Sequence, residues 1–315
     1  MQPLARAGNC ALPWRGAPAK PGAMSERFPD PFESFVAPAR ARPEVWRMIV
    51  GLFLIAAVVM GAGMMLSGVL SGVTQGPWDE VQASTRYSLF VLYFFATIFL
   101  ALWVGLPLLH ERGFATLFGD PGLAVRQFFA CLLPLFVVTL VVYAAPPWGG
   151  YGGVRFNLGV LPWLLLLPIS ALGVLIQVTA EEVLFRGYLV QQMAVRSMAR
   201  VSWFLVPGLL FGLLHYDPEV YGASAWMIAG WAMLFSFAAA DLTYRSGTLG
   251  PAIALHFVNN CVAILIFSFE GPLSGLSLFI FPETLEQAVS DPGIFVVDAM
   301  VMLIGWLTCR IALRC

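Results

Sequence analysis

A chain of 315 residues that is 59% hydrophobic and 11% charged, with mean hydropathy +0.82, is too apolar for a water-soluble domain, which is about half apolar and about a quarter charged. The composition excludes an ordinary soluble protein and points to one that resides in a bilayer. The net charge of −1 creates no long-range field, and no basic stripe with interleaved aromatics is present, so nucleic acid is excluded as a partner.

The chain opens on a polar stretch, 1–44, rich in Pro, Ala and Arg, which is expected to be a disordered cytoplasmic tail. It holds no apolar run ahead of Val45, which argues against a cleaved signal peptide. Met24, opening MSERFPDPFESF, is an alternative start. From 45 to 315 the sequence reads as a transmembrane helical domain. Apolar runs recur near 46–71, 87–109, 127–145, 161–182, 201–215, 225–240, 249–269 and 294–311, each suited to crossing a bilayer. The fifth and sixth are short and borrow flanking residues; the fourth continues as helix to about Arg196. Lipid offers no partner to exposed backbone, so such spans are helices. The expected fold class is all-α, a polytopic bundle of about eight transmembrane helices.

Every Lys and Arg except Arg86 and Arg155 lies in the N-terminal stretch, in alternate loops or at the C-terminal end. Outside the N-terminal stretch the markers are Arg112, Arg126, Arg186, Arg196, Arg200, Arg245, Arg310 and Arg314. The excess of basic residues on the cytoplasmic side then puts both termini in the cytoplasm. The five cysteines (Cys10, Cys131, Cys261, Cys309 and Cys315) form no CxxC pair, so neither a disulfide framework nor a cysteine metal site is expected. The terminal ALRC lacks the three residues that must follow a prenylated cysteine.

Within the fourth run, VTAEEVLFRGYLVQQ (Val178–Gln192) sets two glutamates and an arginine in apolar surroundings, where charge is costly and calls for a partner or a function. Successive helical residues differ by about 100°, so Glu181 and Glu182 are expected to face different ways. Glu182 and Arg186, four apart in acid-first order, are expected to pair along one face as structural support. Glu181 then needs partners from another helix. PGLLFGLLH places Gly208, Gly212 and His215 on one stripe, with Phe211 beside it; the Gly208–Gly212 spacing lets a neighbouring helix approach closely. TLGPAIALHFVNN carries His256, with Asn260 one turn later on the same face, while Asn259 points away.

Depth agrees between these helices. Glu181 is 15 residues before Arg196 and His215 is 15 after Arg200, so each sits ~22 Å from its cytoplasmic marker at ~1.5 Å per residue. By the same rise His256 and Asn260 lie ~14 and ~20 Å beyond Gly247. Asp241 with Arg245 reads as a helix-end pair, Asp298 as an acid near a helix start, and His110 as a residue at a helix end in a loop; no chemistry is assigned to any of them.

A carboxylate beside histidines in a dry site can act as general base on water, and the resulting oxyanion needs preorganised donors. Glu181 with His215 could supply the first function, and His256 with Asn260 the second. A His₂Glu zinc set of Glu181, His215 and His256 with an open water position is the other reading; spacing does not decide, because the ligands come from three helices.

These motifs, EEVLFRG (Glu181, Glu182, Arg186), FGLLH (Phe211 to His215) and HFVNN (His256 to Asn260), resemble the EExxxR, FxxxH and HxxxN motifs of the CPBP (Abi) family of type II CAAX prenyl proteases and bacteriocin-processing and immunity proteins. They occur in the family's order, over a core at about 161–267. The resemblance implies an integral membrane endopeptidase with its site open to the cytosol. It implies that Glu181 activates water with His215 while His256 and Asn260 stabilise the oxyanion, and that Glu182, Arg186 and Phe211 support them. It leaves both a Zn²⁺ and a metal-free mechanism open. The implied partners are the lipid bilayer and a peptide or membrane-anchored protein substrate. Compact loops and Ala/Gly-rich spans fit a multi-pass protein of a bacterial inner membrane. Two other functions use the same features: a non-enzymatic scaffold or immunity-type binding protein, and a transporter or proton relay. Neither broken helices nor repeat symmetry of the kind carriers show is present.

Overall fold

The computed structural model describes residues 30–73, 83–144, 153–197, 199–271, 273–289 and 292–315. Met24 and residues 1–29 of the expected tail lie outside the described residues. Among the described residues six helices are long and apolar enough to cross a bilayer, and two shorter apolar helices join them, so each of the eight apolar runs forms a helix, the seventh only as far as Ile266. In chain order, after a short helix α1 (Asp30–Val36), they are α2 (Val45–Val73), α3 (Thr85–His110), α4 (Pro121–Ala144), α5 (Val160–Ala194), α6 (Val201–Leu214), α7 (Ala225–Ser246), α8 (Gly250–Ile266) and α9 (Pro292–Leu313). Their outward faces stay apolar, with Phe53, Leu108, Leu165 and Ile311 exposed. In a chain of this hydropathy such faces meet lipid, and the protein is a multi-pass integral membrane protein.

Several boundaries differ from the sequence reading for local reasons. Helix α4 begins at Pro121, where Asp120 accepts the Leu123 amide at 2.7 Å and proline needs no donor; Arg126 is therefore inside the helix and not in a loop. Helix α7 runs on to Ser246, so Asp241 and Arg245 pair at 2.8 Å within it, and Trp306 of α9 donates to Asp241 at 3.0 Å. Asp298 stands in the second turn of α9, past the reach of its dipole. His110 is no loop residue: it ends α3 at 1% exposure, between the Tyr188 hydroxyl at 2.9 Å and the Gln192 amide at 3.2 Å. Beside it, burial holds the Arg112 guanidinium down to about 10, and Arg112 donates to Gln191 at 2.5 Å. Cys131, Cys261 and Cys309 are free thiols, whereas Cys315 is disulfide-bonded.

Residues 30–41, counted with the polar tail by the sequence, are folded onto the bundle. Phe32, Phe35 and Val36 are fully buried, with the Phe32 ring 4.9 Å from Trp203 of α6 and 5.0 Å from Tyr244 of α7. The turn after α7 requires glycine: Gly247 has φ +71°, and a Cβ there would strike the Pro31 carbonyl, so α1 fits only over a bare backbone.

The far end carries a small sheet instead of more helix. The seventh run ends as helix at Ile266, and β2 (Phe267–Glu270) follows at once. Strand β3 (Phe279–Thr284) pairs in parallel with β2 and antiparallel with β1 (Arg155–Phe156), in the order β1-β3-β2. Phe156, Phe267 and Phe279 stack across it, and Arg155 pairs with Glu270. An open sheet edge is not tolerated in hydrocarbon, so this end lies at the membrane surface opposite the arginine-rich one.

Candidate active site

Helices α5, α6 and α8 enclose the polar residues. The glycine stripe of α6 works as the spacing implies: a Cβ on Gly212 would stand 2.6 Å from the Ala229 carbonyl oxygen of α7, and one on Gly208 would enter the Phe237 ring. α6 therefore lies close on α7. Immediately after Glu182, residues Val183–Leu189 of α5 widen into a π-helical turn, a distortion common at functional sites.

Glu182 is fully buried and takes two partners: Arg186 Nη1 at 3.0 Å and His256 Nδ1 at 2.8 Å, both on Oε1. The expected Glu182–Arg186 pair is thus formed. The guanidinium, 1% exposed, also lies 4.5 Å over the Phe211 ring, a favourable cation–π placement. Glu181, 9% exposed, accepts from Gln177 Nε2 at 2.6 Å through Oε1, and its Oε2 is 3.6 Å from His256 Nε2. The two glutamates were expected to face apart. They converge on one imidazole because the His256 ring projects between them from α8 and offers one nitrogen to each.

Asn260 donates to Gln177 Oε1 at 2.8 Å and accepts from Asn259 at 3.2 Å. Gln177 is therefore the residue that sequence reasoning missed. It is 7% exposed and joins Glu181 to Asn260. A polar residue one turn before Glu181 inside the apolar LIQVTA was the available signal.

His215 caps the C-terminus of α6, and its Nδ1 bonds the Phe211 carbonyl of the same helix at 2.8 Å. That bond makes Nδ1 the protonated nitrogen and leaves Nε2 with a lone pair. Among the described residues no hydrogen bond or ion pair links His215 to Glu181 or His256; the Phe211 ring stands between, 4.6 Å from the His215 ring and 6.2 Å from that of His256. Glu181, Gln177 and Asn260 thus form one bonded set, His256 is held by Glu182 with Nε2 3.6 Å from Glu181, and His215 stands on the neighbouring wall.

Zinc held by Glu181, His215 and His256 is the other reading of the same residues. Among the described residues no three His, Cys, Asp or Glu side chains are grouped so that they could hold a metal ion. The residues as placed do not fit a His₂Glu centre, because the Phe211 carbonyl holds His215 along its own helix. What the site does offer is unsatisfied polarity. Glu181 Oε2, Glu182 Oε2 and Arg186 Nε and Nη2 are buried without a hydrogen-bond partner, and buried groups in that condition take water or a ligand.

Residues 162–262 match the family described as Type II CAAX prenyl endopeptidase Rce1-like, and the resemblance carried by the three motifs holds. The chain is also similar to the uncharacterized protein YyaK of Bacillus subtilis (strain 168), at 26% identity over 258 residues, which covers 77% of this chain and 84% of that protein. No solved structure matches it.

Proposed function

We propose that this protein is a membrane endopeptidase that hydrolyses a peptide bond with a water activated by Glu181. The observation that carries the reading is Glu181 Oε2: a buried carboxylate oxygen with no hydrogen-bond partner, facing a histidine nitrogen at 3.6 Å. That gap is too long for a direct bond and suits a polar group held between the two. Water bound there gives its proton to Glu181 as its oxygen attacks the scissile carbonyl carbon. The carbonyl π electrons move to oxygen, and the oxyanion meets the free N–H of Asn260; with Nδ1–H given to Glu182, His256 joins it through Nε2–H in its doubly protonated form. Collapse breaks the C–N bond, and the leaving amine takes the proton from Glu181. His215, with Nε2 unengaged, meets the water or the amine from the opposite wall.

Glu182 and Arg186 hold His256. Since Glu182 accepts at Nδ1, the Nε2 edge is aimed at the reacting group, the same logic by which a carboxylate orients a catalytic imidazole. Phe211 keeps water from the guanidinium. The substrate in this reading is a peptide or a membrane-anchored protein, prenylated or not. The site opens toward the arginine-rich end, with both termini cytoplasmic and the chain in a bacterial inner membrane.

The test is cleavage of a fluorogenic peptide set by purified protein in lipid nanodiscs, with and without chelator. Chelator-resistant turnover that vanishes in Glu181→Gln and His215→Ala supports the reading. Turnover lost on chelation and restored by Zn²⁺ replaces it with a metal mechanism. No turnover, together with rescue of a deletion phenotype by Glu181→Gln, replaces it with a binding function.

A further inference from the structure

We infer that Gln177 is a positioning residue that fixes both the Glu181 carboxylate and the sense of the Asn260 amide; this rests on the hydrolytic reading above. A carboxylate only accepts hydrogen bonds, so the 2.6 Å contact from Gln177 to Glu181 Oε1 must use the Gln177 NH₂ group. Gln177 Oε1 is then the atom facing Asn260, which must present its own NH₂ at 2.8 Å. Asn260 Oδ1 is thereby turned to the other side, where Asn259 donates to it at 3.2 Å.

One acceptor-only group thus sets the orientation of three amides in series. Amide orientation is ordinarily free to flip; here a flip of Gln177 or of Asn260 would break two bonds. The consequence for chemistry is direct. Asn260 Nδ2 has two hydrogens, one held by Gln177 and one left for the reacting carbonyl oxygen. A flipped Asn260 would offer that oxygen a lone pair and repel the developing charge. The same clamp holds Oε1 of Glu181, so that the unpartnered Oε2 is the oxygen left to take a proton.

Two substitutions separate the two halves of this role. Gln177→Leu removes both bonds. It should lower kcat by roughly 10- to 100-fold with little change in KM, as expected for loss of a group acting mainly in the transition state. Gln177→Glu still accepts from Asn260 but sets a second carboxylate against Glu181. The other groups facing Glu181 are His256 on α8 and, on its own helix, Glu182 and Arg186, and none of them is altered. Two carboxylates in contact share a proton, so the acid limb of the kcat profile should move up by roughly one pH unit or more. A residue that only fills space would not move that limb.

The carboxylate band in the infrared spectrum, assigned by its disappearance in Glu181→Gln, should shift in Gln177→Leu as the 2.6 Å bond is lost. An unmoved band, an unchanged kcat in Gln177→Leu, or an unshifted profile in Gln177→Glu overturns the inference. If the unsubstituted protein cleaves no peptide, the protease reading falls on that result alone; the band then decides whether the clamp exists.

Discussion

Glu182→Ala should destabilise the whole protein, not merely slow a reaction. The substitution strips Arg186 of its carboxylate at 3.0 Å and His256 of its acceptor at 2.8 Å, in a place where Arg186 is 1% exposed and, among the described residues, no other acid bonds it. Removing one member of a buried ion pair costs about 3–5 kcal/mol, because the partner charge is left uncompensated. At about 2–3 °C per kcal/mol for a chain of this size, the midpoint of thermal unfolding should fall by roughly 6–15 °C. Cys131 and Cys309 are free and fully buried, so a thiol-reactive fluorophore in detergent micelles reports the transition without an added label. The double variant Glu182→Ala/Arg186→Met removes the stranded charge along with the pair and should recover much of the loss, a coupling of about 2–3 kcal/mol. Recovery should be partial, since the His256 bond is gone in both variants and the double variant also loses the contact of the guanidinium with Phe211. Additive losses would refute the premise that Arg186 is held chiefly by Glu182.

Glu181→Gln is expected to do the opposite: it keeps a carbonyl oxygen for the Gln177 amide, the one hydrogen bond that the Glu181 side chain makes among the described residues, so the melting midpoint should stay put while peptide turnover falls by about 10²–10⁴. Gly212→Ala drives a methyl group to 2.6 Å from the Ala229 carbonyl and 3.1 Å from Met233 Cβ; prising α6 from α7 should cost about 1–3 kcal/mol in the same melting assay. Phe32→Ala empties a fully buried ring site against Trp203 and Tyr244 and should cost about 3–5 kcal/mol. An unchanged melt there would mean that residues 30–41 do not belong to the folded unit.

The sequence by itself determined the solvent and, through it, most of the architecture. Apolar runs in lipid must satisfy their own backbone, so eight runs became eight helices, and Gly208 and Gly212 marked the close approach of α6 before any partner was known. It also determined that charge inside those runs needed company: the four-residue spacing of Glu182 and Arg186 foretold their ion pair. What the sequence could not carry is anything that depends on where a side chain from one helix lands against another. Periodicity gives direction around a single axis, so Glu181 and Glu182 read as diverging; only the packing of α8 against α5 put the His256 ring between them. The same holds for Gln177, which is unremarkable in its own helix and acquires a role when Asn260 of α8 meets it. It holds for His215 too, whose ring is tied to the Phe211 carbonyl. Near the N-terminus, polarity misled where packing decided: Phe32, Phe35, Val36 and Ala39 are buried, and the apolar area that they remove from water holds 30–41 on the bundle while the charged residues around them stay at the surface.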